Sequence, residues 1–347
     1  MRALPLLTLC LLLAACQSPP MAEQGWEMHV ALQTQAKLGG CVVADFDTSR
    51  DDAEIVVTSS PGDVFMVRRA GEGWASELVA HFPGEMIQVA AGDLDPTNPG
   101  AELVCVGAAE GGEDDGGPGV AWFAWRDAKG WHHERLIQQD ALIHGVAIGD
   151  FDKNRPGLEV MVAGYTRRAT VIAKVEGAWK VVGSVELPGE AKGVAAGLSG
   201  AAVVCADGSL VEVRQEGSGW GQRVLRRFPA ALARVSADPS SALFCANDGT
   251  LRNWSAGTVT ELYRSTDRLR GAVVVDVDPN TPGKEICTAG YTGEITIMNP
   301  GTEGGVPRII AWDDNRFHHL AAGRLPGLGT CLVGCGYSGR VLVVRPR

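Results

Sequence analysis

One phrase, repeated along the chain, constrains the fold more than any other feature. GDLDPTNPGAELV (Gly92 to Val104), GDFDKNRPGLEVM (Gly149 to Met161) and VDVDPNTPGKEIC (Val275 to Cys287) share one pattern, and ADFDTSRDDAEIV (Ala44 to Val56) is a looser copy. Each holds an apolar run, an Asp-x-Asp, a short polar loop, a Glu and a second apolar run. Two apolar runs about a turn predict a β-hairpin. A hairpin cannot bury both of its faces alone, so a regular series of them predicts stacking into a repeat architecture.

Weaker copies extend the series. With the residue before the first Asp as anchor, Ala44, Gly92, Gly149, Gly197, Ala237, Val275 and Gly323 are spaced 48, 57, 48, 40, 38 and 48 residues apart. The long interval holds an insertion, EGGEDDGGPG from Glu110 to Gly119. Each unit reads as four strands, and the fourth often opens on a Trp: Trp74, Trp131, Trp179 and Trp220. Four strands at this period make a propeller blade. The ends complete the count. Residues 25–32 (GWEMHVAL) read as a lone outer strand, and the chain finishes on a third strand near Val344. The predicted fold is therefore all-β, a seven-bladed propeller over residues 25–347, closed by the N-terminal strand joining the last blade. Closure removes an exposed sheet edge.

The start predicts export. Met1-Arg2 is a basic n-region, and Ala3 to Ala15 is Leu-rich but shorter than the roughly 20 residues that span a membrane. It ends Leu13-Ala14-Ala15-Cys16. This resembles the lipobox of bacterial lipoproteins, and the resemblance implies cleavage before Cys16 and lipids, palmitate among them, on its thiol. Residues 1–15 are then a signal peptide, and 16–24 a lipidated Cys and tether. Gln17 stands where an Asp would retain such a protein at the inner membrane, which favours the outer membrane. The net charge is −10 without a long basic block, which argues against nucleic acid as a partner. A monomer is expected.

The blades resemble the FG-GAP/VCBS repeat family of β-propellers. In that family an Asp-x-Asp-x-Asp-Gly-x-x-Asp loop binds calcium. The loops here depart from it: Pro-Gly replaces the Gly turn, and Glu54, Glu102, Glu159 or Glu285 ends the loop. The form also looks like loops of rhamnogalacturonan lyase propellers. The resemblance implies calcium at Asp93, Asp95 and Glu102, at Asp150, Asp152 and Glu159, or at Asp276, Asp278 and Glu285, with Asp45 and Asp47 a looser set. Residues i and i+2 of an extended segment share a side, and calcium takes six to eight oxygens. Against this stands a plain alternative: the Asp side chains cap the turn.

Strand direction separates two rims. The Asp loops lie at one end of the blades. The other end receives Lys37, Gln88, His144, Lys192, Arg270, and His318 or His319. It also receives the turns with Tyr165, Arg167 and Arg168, with Tyr291 and with Tyr337, and the acidic run Glu113-Asp114-Asp115. An acidic chain thus gathers cations and tyrosines at one channel mouth. Ligand sites favour such mouths, and Arg with Lys favours carboxylate or phosphate. The expected ligand set is His144, Lys192, Arg270, His318, Tyr165, Tyr291 and Tyr337. The cysteines show no zinc spacing and read as small buried hydrophobes. No Gly-x-Ser-x-Gly, His-Glu-x-x-His or phosphate loop occurs. Two function classes stand: an envelope binding module for a protein, glycan or other anionic ligand, and a lyase-like enzyme acting on acidic polysaccharide.

Overall fold

The computed structural model describes residues 18–50, 53–110, 117–299 and 306–347. Among these every regular element is a strand. The lipidation residue Cys16 and the acidic run Glu113-Asp114-Asp115 lie outside them.

Seven four-stranded antiparallel meanders form a ring. Their inner strands are Lys37–Ala44, Met86–Gly92, Ile143–Gly149, Ala191–Gly197, Leu232–Ala237, Leu269–Val275 and Phe317–Leu325. Each inner strand contacts the next, and the last returns to the first. The ring is closed. Six of the seven anchor residues are the last residues of these strands, so the repeat phrase marks where the chain leaves the channel.

Burial follows from the stacking. A second strand such as Glu102–Ala108 is buried at every residue, because neighbouring blades cover both of its faces. This is why it reads LVCV rather than alternating. Outer strands are covered on one face only. Trp74, Trp131, Trp179 and Trp220 are each the second residue of an outer strand and are only partly buried. All seven cysteines among the described residues are buried free thiols.

Closure is as the ends predict. Trp26–Gln33 pairs antiparallel with Arg340–Pro346, from Trp26 opposite Pro346 to Gln33 opposite Arg340. Trp26 is 2% exposed and packs in one core with Leu342 and Val344. Glu27 forms an ion pair with Arg345 on the same seam. One detail differs from the expected tether. Met21–Ala22 is a short strand, added outside Arg308–Trp312 of the sixth blade. Met21–Ala22 thus make a second closing contact.

Candidate functional site

Every inner strand breaks its ladder near its start. The register skips Gly39 and Gly40 in the first blade, then Ile87, His144, Lys192, Ala233, Arg270 and His318 in the others. A β-bulge leaves one residue out of the pairing and re-aims its side chain. Here the skipped residues turn to the channel. All of them except Gly40 line one cavity of about 480 Å³ at the channel mouth. That volume suits a small-molecule ligand. Of the residues expected on this rim, Lys37, His144, Lys192, Arg270, His318, Tyr165, Tyr291 and Tyr337 come together in its wall.

In five of the blades the residue after the bulge forms a second tier. Gln88, Gly193, Arg234, Gly271 and His319 line a narrower space of about 80 Å³ farther along the channel. Glycines here allow neighbouring inner strands to approach closely; a Cβ on Gly271 would stand 2.6 Å from the Leu320 nitrogen. Gln88 therefore sits one tier deeper than expected, and Ile87 takes its place at the mouth. Arg167 and Arg168 stay outside the wall, bonded to the Pro188 carbonyl and to Glu186. Arg234, Arg268, Asn247 and Glu85 line the mouth and were not anticipated from the sequence.

Arg234 and Arg270 line both spaces and form the floor between them. They are 6% and 8% exposed. Arg234 Nη1 donates to the carbonyls of Lys192 and Ala233, each at 3.0 Å, and approaches His144 Nδ1 at 3.5 Å. With its amide turned to satisfy both neighbours, Gln88 accepts from Arg234 Nε at 2.9 Å. Arg270 Nη1 donates to Asn247 Oδ1 and to the Leu269 carbonyl, each at 2.9 Å. No carboxylate pairs with either guanidinium among the described residues. Arg234 Nη2 is buried and has no hydrogen-bond partner.

The fields at the floor follow. Burial lowers the Arg234 pKa to about 10, helped by the Arg270 charge, so the group stays charged at neutral pH. Burial, with Arg234 and Lys192 beside it, holds His144 well below the usual imidazole range. Burial and Arg234 bring His318 to about 3. Both imidazoles are thus neutral, and His318 Nδ1 lies 2.8 Å from the Gly39 carbonyl, which assigns its proton.

Three tyrosines complete the wall, each with a cation over its ring. Lys192 Nζ lies 3.8 Å from the Tyr165 centroid, Arg270 4.5 Å and Arg316 4.9 Å from Tyr291, and Lys37 5.3 Å from Tyr337. His144 stacks on Tyr165 and His318 on Tyr337. The Tyr291 and Tyr337 hydroxyls are 3.4 Å apart.

The Asp loops lie at the other end of the blades, and their oxygens are largely engaged. Glu102 Oε2 accepts the backbone N–H of Leu94 at 2.7 Å and of Asp95 at 3.2 Å. Glu54, Glu159 and Glu285 do the same for Phe46 and Asp47, Phe151 and Asp152, and Val277 and Asp278. The second Asp caps an Asx turn, as Asp95 does with Thr97. It also reaches the third strand of the next blade: Asp47 to Arg126, Asp95 to Lys174 and Asp152 to Gln215. Asp278 instead faces Arg308 of its own blade at 3.7 Å. The first Asp of each pair, Asp45, Asp93, Asp150 and Asp276, is exposed. The pair does not share a side as an extended segment would. The Leu94 N–H bonds back to the Gly92 carbonyl, and Phe151 to Gly149, so the chain turns at the first Asp.

Among the described residues Glu54 and Glu285 each keep one buried oxygen without a hydrogen-bond partner. Among the described residues no three His, Cys, Asp or Glu side chains form a metal-holding group.

No family model matches the chain, and no curated protein matches it. Solved structures do. The chain is similar to the WD40 β-propeller domain of Doa1, with a TM-score of 0.65 and 12% identity over 92% of this chain and 97% of that one. Identity that low shows the fold, a propeller, and nothing finer.

Proposed function

We propose that this protein is a binding module of the cell envelope, in which the bulge-lined mouth of the channel holds an anionic ligand. The carrying observation is the pair Arg234 and Arg270. Among the described residues two cations are buried without a carboxylate partner, and a buried charge that is not paired is costly. Both line a cavity of ligand size, and one guanidinium nitrogen has no hydrogen-bond partner among those residues. A ligand oxyanion would supply it. Propellers commonly serve as interaction scaffolds, which agrees with this reading. Anchoring through lipids on Cys16 and kinship with FG-GAP/VCBS repeats are parts of the same proposal, supported by the Leu-Ala-Ala-Cys motif and the Asp-x-Asp phrase.

The test is a screen of the purified protein against acidic and neutral oligosaccharides, acidic peptides and small anions, with and without EDTA. Binding confined to anions, weakened by salt, is expected. Neutral ligands that bind as well as their anionic analogues would sink the reading. Palmitate labelling tests the anchor separately, and labelling that survives Cys16→Ala removes it.

A further inference from the structure

The wall of the cavity narrows the ligand class, given the anion-binding reading above. Among the described residues five cations, Lys37, Lys192, Arg234, Arg268 and Arg270, line the cavity with one carboxylate, Glu85, and Glu190 stands 3.9 Å from Lys192. An excess of three positive charges thus sits in a chain whose net charge is −10. A single carboxylate would leave most of that excess uncompensated. The tyrosines bear on shape. Their rings are committed to internal contacts with a Lys, an Arg or a His. They offer hydroxyls and ring edges rather than open faces for stacking. The cavity is therefore rich in hydrogen-bond donors and poor in aromatic platforms.

We propose that the cavity selects a compact polyanion, a phosphorylated or polycarboxylated small molecule, with one oxyanion group seated on the Arg234 and Arg270 guanidiniums at the floor. Guanidinium bonds to an oxyanion are charge-assisted, and they strengthen where water is excluded. Further anionic groups then reach Lys192 and Lys37 at the rim. A flat aromatic monoanion would meet neither condition.

Isothermal titration at constant ionic strength, with citrate, pyrophosphate, acetate and benzoate as probes, decides it. Citrate or pyrophosphate should bind at least tenfold more tightly than acetate and benzoate. The two polyanions distinguish a polycarboxylate from a phosphate preference. Arg234→Met should cut polyanion affinity at least tenfold, while the loss of its bonds to the Lys192 and Ala233 carbonyls lowers Tm. A purely structural arginine would lose Tm and leave the affinity of the folded protein unchanged. Should that variant fail to fold, Lys192→Met at the half-buried rim should cost threefold or more. Arg168→Met, on the same rim but outside the wall, should leave affinity within twofold. Benzoate binding as tightly as citrate and pyrophosphate, or Arg168→Met matching the Arg234 or Lys192 loss, would overturn the polyanion assignment while leaving anion binding intact. Failure of every anion to bind would overturn both readings.

Discussion

Arg234 Nη1 donates to the Lys192 carbonyl at 3.0 Å, across the seam between the fourth and fifth blades. Lys192 is the bulge residue of its own strand, so the ladder skips it. A buried carbonyl needs a donor, and the neighbouring guanidinium provides one. A second bond goes to Ala233, the bulge residue of the fifth blade. The same irregularity that turns side chains into the channel thus fixes the arginine that closes its floor.

The two cavity histidines should make stability depend on pH. Each folded pKa lies below the unfolded value of about 6.5. Below that value the unfolded chain binds protons that the folded chain refuses. Stability therefore falls as pH drops from 7 toward 3, with His318 alone contributing roughly 2 kcal/mol at pH 5. Around His144 stand Arg234, Lys192 and Tyr165; around His318 stand Arg234, Arg270, His319 and Tyr337. The raised carboxyls of Glu54, Glu102 and Glu159 act with the opposite sign, which makes a variant comparison necessary. In urea melts at pH 5 and 7, His144→Asn with His318→Asn should lose less stability on acidification than the parent. Equal losses refute the assignment.

Glu102 should behave as a turn cap. It accepts two backbone N–H groups and Asn98 Nδ2, which bonds its second oxygen at 3.0 Å. Glu102→Ala leaves buried donors without acceptors and should cost about 2–4 kcal/mol. Glu102→Gln keeps one acceptor oxygen and should cost less than half of that. Millimolar calcium should shift the parent's Tm little. A large calcium stabilisation that Glu102→Gln abolishes would assign a cation to this loop.

Asp95 and Lys174 tie the second blade to the third at 2.5 Å. Their side chains are 23% and 35% exposed, so solvent screens the pair. A double-mutant cycle with Asp95→Asn and Lys174→Met should give a coupling of about 0.5–1 kcal/mol at pH 7. The Lys174 contact, then Thr97, holds the Asp95 carboxyl below its usual range. The coupling is thus present above the unfolded pKa of about 3.9 and fades as pH falls through the folded value. A coupling unchanged at pH 2 would show that the contact is not ionic.

Closure rests on Trp26. Trp26→Ala should cost about 3–5 kcal/mol, the usual figure for a buried Trp in a packed core. Removing Trp26–Gln33 altogether opens an edge on Arg340–Pro346, which invites association. Size-exclusion chromatography and thermal melts check both. A deletion that stays monomeric with an unchanged Tm contradicts the closing role.

Blade number, closure and the separation of the two rims were set by the sequence, because each rests on local signals. The period counts the blades, and the missing fourth strand at the C-terminus matches the spare strand at Trp26. The direction of the third blade's inner strand puts His144 at its start and Asp150 just past its end. The tertiary structure decided which side chains face the channel. A bulge shifts the register by one residue, so Ile87 rather than Gln88 reaches the mouth, and no spacing rule separates the two. Arg234 follows Ala233 in a degenerate blade, within an ordinary apolar run; its place at the floor exists only once the fourth and sixth blades bring Lys192 and Arg270 beside it. The Asp pairs carry the same lesson. Their spacing implies a shared side, yet a backbone turn at Asp93 and Asp150 splits each pair, and Lys174 and Gln215 of the next blades take up the inner carboxylates. Local pattern determines elements and their order. Side-chain convergence depends on how the ring brings distant strands together.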